Sequence, residues 1–143
     1  MASTVNPPSW FYVVSAIAFI WNLMGVAAYL AQALVTPEVL AAMPEAERTL
    51  IENTPAYVTA AFALAVWGGA LGTLFLLIRK SWAVVTLLVS LVGIVVQLFW
   101  NLFIGKTLEV YGPGQAIMPV MVFIIGFLLL GLAKKASAKQ WIN

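Results

Sequence analysis

The sequence predicts an all-α fold: a bundle of four membrane-spanning helices, with a short amphipathic surface helix between the first and the second. Three observations carry this prediction. Hydrophobic residues make up 64% of the chain and charged residues 8%, where a soluble domain would carry about 25% charge. Four apolar segments, near 10–35, 56–78, 82–104 and 115–133, contain no Asp, Glu, Lys or Arg. Each has about 19 residues or more, enough at a rise of about 1.5 Å per residue to cross a hydrocarbon layer of about 30 Å. Lipid offers no partner to a bare backbone amide, so such segments must be helices. The length of 143 residues suits one domain spanning 1–143.

The first segment follows Met1–Pro8, a stretch without Lys or Arg, and continues well beyond the roughly 7–15 apolar residues of a signal-peptide core. It is therefore expected to be a retained helix. Ser15, Ala18, Asn22, Gly25, Tyr29 and Gln32 recur along it at steps of three and four, which places small and polar groups on one stripe. The connector after it begins Thr36-Pro37, a helix cap followed by proline at the first helical position. Val39, Leu40, Met43, Leu50 and Ile51 then recur at helical spacing among glutamates, which predicts the amphipathic surface helix, with Pro44 placed to break it.

In the second segment Ala61, Ala65, Gly68 and Gly72 form a stripe of small residues, with Gly69 beside it. Small residues let helix backbones approach closely in lipid, so these four are the expected packing contact. A tight Arg79-Lys80-Ser81 turn leads into the third segment, whose own stripe is Thr86, Ser90, Gly93, Gln97 and Asn101. The third connector holds Lys106, Glu109 and the turn signal Gly112-Pro113-Gly114. Apart from Gln115, the fourth segment has no polar side chain, and a tail with Lys134, Lys135 and Lys139 follows.

Orientation follows from the cations. Arg79, Lys80, Lys134, Lys135 and Lys139 lie on one side, against Arg48 and Lys106 on the other. The positive-inside rule then places both termini in the cytoplasm. Trp10, Tyr12, Trp82 and Trp141 are expected at the inner interface, Tyr57 and Tyr111 at the outer one.

The chain has no Cys and no His, which removes disulfides, thiol nucleophiles and most zinc and haem sites. No metal or other cofactor is expected. No Asp, Glu, Lys, Arg or His lies within the four segments, which argues against an ion-coupled pump. Paired carboxylates, a phosphate loop and a nucleophile with its base are all missing, so no residue is assigned a catalytic role. Glu45 and Glu47 read as surface charge. The partner expected from composition is the lipid bilayer, not nucleic acid.

What chemistry remains is uncharged. Asn22, Tyr29, Gln32, Gln97 and Asn101, with Trp67 and Trp100, could pair the hydroxyls of a neutral solute and cover its apolar face. The plainer account is that the amides join helices, at about 0.5–2 kcal/mol each. Trp21-Asn22-Leu23 is echoed by Trp100-Asn101-Leu102, a faint trace of internal repetition.

Pro8-Ser9-Trp10-Phe11-Tyr12, Trp21-Asn22-Leu23-Met24-Gly25 and Tyr29-Leu30-Ala31-Gln32, with Trp67-Gly68-Gly69-Ala70-Leu71-Gly72 and Arg79-Lys80-Ser81-Trp82-Ala83, carry a resemblance. They are similar to an uncharacterised family of small four-helix bacterial membrane proteins, often labelled automatically as sugar transporters. The resemblance covers most of the chain up to about Asn101 and brings no catalytic residues with it. The expectation is a non-enzymatic protein acting as a small subunit or binding partner in a larger membrane assembly. The alternative is a facilitative carrier for a neutral polar solute such as a sugar. Because four helices enclose little lumen, a carrier would be expected to form a homo-oligomer.

Overall fold

The structure is a computed structural model that describes residues 5–105 and 107–143. Lys106, counted above for orientation, lies outside them. The chain is 83% helix, with no strand among the described residues. Helix α1 spans Ser9–Ala33, α2 Pro37–Ala42, α3 Glu45–Glu52, α4 Ala56–Leu77 and α5 Trp82–Phe99. A π-helical turn, Trp100–Ile104, extends α5; α6 spans Thr107–Tyr111, and a 3-10 turn at Pro113–Ala116 leads into α7, Ile117–Ala138. Ser9–Ala33, Ala56–Leu77, Trp82–Ile104 and Ile117–Ala138 are long and apolar enough to cross a membrane.

Prolines set the helix starts. Pro8, Pro44 and Pro55 precede α1, α3 and α4 in non-helical conformation, and Pro37 opens α2. A residue before or at the first turn has no intrahelical amide bond to lose, so proline costs nothing there. The Thr36 hydroxyl accepts from the Val39 amide at 3.3 Å, capping α2. The connector holds two short helices, α2 and α3, separated at Met43-Pro44, where the sequence placed a break, because the residue before proline is pushed to extended backbone.

Two boundaries differ from the sequence expectation. Helix α7 begins at Ile117, after the 3-10 turn, and runs on to Ala138. The apolar count ends where lysines begin, but a helix does not have to end where its hydrophobic run does. Lys135 in the last turn also complements the exposed carbonyls of the helix end. The last turn of the third segment is π-helical, closed by the Gly105 amide donating to the Trp100 carbonyl at 2.7 Å.

Packing runs in chain order: α1 lies on α4, α4 on α5, and α5 on α7, while α1 and α7 meet through side chains at the end that carries Phe11 and Ala136, without close backbone approach. The α4–α5 contact is the tightest. A Cβ on Gly68 would stand 3.1 Å from the Cβ of Ser90, one on Gly72 2.5 Å from Leu87, and one on Gly93 2.5 Å from the Ala61 carbonyl. Ala61 and Ala65 are buried in the same seam. The Ser90 hydroxyl crosses it to donate to the Ala65 carbonyl at 2.6 Å.

The two termini and the α4–α5 turn come together at one end. Arg79 and Gln140, with φ of 60° and 61°, end α4 and α7 in the left-handed conformation usual for a helix stop. The Lys80 amide donates back to Phe75, and the Trp141 amide to Ala136, each at 2.8 Å. The Arg79 side chain donates from Nε to the Trp141 carbonyl and from Nη2 to the Val5 carbonyl, both at 2.9 Å. The Asn143 amide donates to Arg79, and the Asn143 carbonyl accepts from Ser81, each at 3.0 Å. Phe11 is fully buried here, edge-on to Trp141 with ring centroids 5.6 Å apart.

Candidate functional site

Halfway along the helices the packing opens into a cavity of about 390 Å³, and all four long helices line it. Helix α1 brings Trp21 and Asn22; α4 brings Phe62, Ala65 and Gly69; α5 with its π turn brings Ser90, Gln97 and Asn101. Helix α7 adds an apolar wall of Met118, Val122, Ile125 and Leu129. Most of the lining is hydrocarbon. The polar groups are hydroxyl and amide, and no lining residue is ionisable.

A second cavity, of about 730 Å³, lies toward the end carrying the long connectors. It is more polar, lined by Gln32, Glu45, Thr49, Asn53, Thr59 and Tyr111 among others. Burial and the neighbouring Glu47 raise the Tyr111 phenol above its ordinary range, so it remains a neutral hydrogen-bonding group. Phe62, Gln97 and Asn101 line both cavities, and they therefore form the partition between them.

The polar side chains of the inner cavity differ in what they have left to offer. Ser90 is committed to Ala65. The Asn22 amide donates from Nδ2 to the Ala18 carbonyl at 2.8 Å, and its Oδ1 fills the space above Gly69. No hydrogen bond joins the Gln97 or Asn101 amide to another described residue, and both side chains are partly accessible. The π turn starts beside them: Trp100 folds back against Gly105, where a Cβ would meet the indole Nε1 at 2.8 Å. Single π turns interrupt the regular helical rotation and re-aim the side chains around them.

Of the seven residues expected to bind a solute, five line the two cavities. Asn22 reaches the inner one, Gln32 and Trp100 the outer, and Gln97 and Asn101 both. The other two do not join them. Trp67 points outward, 44% exposed, and Tyr29 packs edge-on to Phe62 at a centroid distance of 5.5 Å beside Val26, Val66 and Ala70. Trp67 falls off the cavity face because Ala65, Gly69 and Gly72 occupy the inward side of α4, and residue 67 lies about 160° around the helix from residue 69. Ser15 of the same α1 stripe is fully buried, and its hydroxyl has no partner among the described residues. Phe62 went unnoticed in the sequence, although its spacing from Ala65 and Gly69 places it on the same face.

No protein-family model, no curated protein and no solved structure matches this chain. The chemistry of the site rests on its own residues. It offers uncharged donors and acceptors at the boundary of two cavities, next to a broad apolar wall.

Proposed function

We propose that this chain is a non-enzymatic, carrier-type membrane protein that binds a neutral solute with hydrogen-bonding groups in its inner cavity. The supporting observation is that Gln97 and Asn101, with amides free of other described partners, line the inner and the outer cavity together. A solute in the outer cavity would meet the same two amides that it meets on moving inward. The resemblance to small four-helix bacterial membrane proteins agrees with this reading. So does the lack of any Asp, Glu, Lys, Arg or His in the four apolar segments, which suits passive transfer of an uncharged molecule.

In this reading the four helices form a bundle in a bacterial inner membrane with both termini cytoplasmic. The helices α2 and α3 lie on the outer surface, and α3 forms one wall of the larger cavity. The Lys and Arg count supports that orientation. The test is thermal unfolding of the purified protein against neutral polyols and sugars up to high millimolar concentration, and against neutral amphiphiles. At 100 times Kd the stabilisation amounts to about 2.7 kcal/mol. Asn101→Leu is expected to abolish the shift while leaving the protein folded. A broad panel without any shift, and without solute flux in liposomes, would overturn the proposal.

A second reading, a small subunit in a larger membrane assembly or homo-oligomer, is favoured by helix α1. It packs chiefly on α4 and leaves Ile17 and Ile20 63% and 60% exposed, a free apolar face for another helix. A partner that co-purifies and protects this face from lipid-phase labelling would support it.

A further inference from the structure

The inner cavity has a side opening. At the end where the termini meet, α1 and α7 close the structure with Phe11, Ser15, Ala18, Leu129, Ala133 and Ala136, none more than 7% exposed. Farther along the same two helices the burial is lost. Met24 on α1 and Met118 on α7 both line the cavity, yet they are 63% and 52% exposed. Ala28, one turn beyond Met24 on the same face of α1, also lines the cavity and is exposed. Residues that line a cavity and face the surroundings at once are its rim. The backbones of α1 and α7 do not approach closely, and the side chains that join them lie at the other end, so this rim borders a slot running from the cavity to the outside of the helices. For helices this apolar, the outside is hydrocarbon.

The slot opens on lipid, and its walls are apolar up to the amides of Asn22, Gln97 and Asn101. A cavity of about 390 Å³ takes a compact headgroup and the first part of a chain, at the small end of the usual ligand range of roughly 300–1,000 Å³. The remaining chain would have to leave through the slot. No ionisable residue lines the cavity, so a charged head would be buried without a counter-charge, at high cost. We infer that the ligand is a neutral amphiphile taken from the bilayer through the α1–α7 slot, its uncharged hydroxyl- or amide-bearing head at Gln97 and Asn101 and its chain in the membrane. The inference rests on the solute-binding reading and narrows its substrate class.

The test uses a monoacylglycerol with a photoreactive group in its acyl chain, added to the full-length protein in phosphatidylcholine vesicles. Labelled peptides are identified by mass spectrometry. Labelling is expected at cavity residues of α1 and α7, and competing unlabelled monoacylglycerol should remove it. The chain has no cysteine, so Met24→Cys and Met118→Cys can be bridged by a reducible bismaleimide without side reactions, and both positions are exposed enough to tolerate the change. Bridging should abolish cavity labelling, and reduction of the linker should restore it. Labelling confined to outward residues such as Ile17 and Phe127, or cavity labelling that survives bridging, overturns the inference. Stabilisation by water-soluble sugars, unchanged by the bridge, also overturns it while leaving the solute-binding reading intact. If neither sugars nor the amphiphile bind, both fail.

Discussion

The side-chain oxygen of Asn22 occupies the space above Gly69 where any other residue would place its Cβ. Gly69 thereby sets the position of the one polar side chain that α1 contributes to the inner cavity. In Gly69→Ala the new methyl meets a side-chain amide, not backbone, so the Asn22 amide can swing away. The cost is the bond to Ala18, worth about 0.5–1.5 kcal/mol, partly offset by the better helix propensity of alanine. The expected result is near-normal thermal stability with weakened ligand stabilisation. Unchanged ligand response would separate Asn22 from binding.

Gly93 contrasts with Gly69. Its absent Cβ would meet the Ala61 carbonyl at 2.5 Å and the Ala65 amide nitrogen at 3.0 Å, both backbone atoms that cannot rotate aside. Gly93→Ala should therefore push α4 from α5, and Gly68→Leu should do the same against Ser90. Overpacking of this kind typically costs about 1–3 kcal/mol. Thermal unfolding in detergent checks it; wild-type stability in both variants would mean that the seam can separate freely.

Ser90→Ala removes the one side-chain hydrogen bond between α4 and α5 among the described residues. Hydrogen bonds between membrane helices average about 0.6 kcal/mol and reach about 1.7. A loss within that span is expected, without a change in fold. A larger loss, accompanied by altered oligomeric state, would assign Ser90 a role beyond pairing with Ala65.

Arg79 serves two roles that a conservative change separates. As a cation it would favour the proposed cytoplasmic placement of the termini; as a fork of donors it ties Val5 and Trp141 to the α4–α5 turn. Arg79→Lys keeps the charge but cannot hold both carbonyls in the same geometry. A reporter fused after Asn143 should remain active only on the cytoplasmic side, and one inserted near Glu47 only outside. Stability should fall by about 1–3 kcal/mol for the lost bonds. A periplasmic C-terminus in the wild type would invert the proposed orientation.

The four long helices were legible in the sequence because lipid leaves the backbone no alternative, so apolar length alone decides them. Thr36-Pro37 and Pro44 were legible as boundaries, since capping and proline act within a few residues. Asn22, Gln97 and Asn101 could be picked out as rare amides in apolar helices. Their gathering around one cavity could not, because helical spacing defines a face without saying which neighbour it meets. Trp67 and Tyr29 show the limit: aromatic character marked them, and the rotation of α4 and the packing of Phe62 took them out of the site. The Arg79 clamp and the exposed cavity rim at Met24 and Met118 depend on contacts between segments far apart in the chain. Composition and periodicity determined that this chain has four helices fit to cross a membrane. Only tertiary packing decided where they part to leave a cavity, because a void is a property of how side chains from several helices meet, and no single helix encodes it.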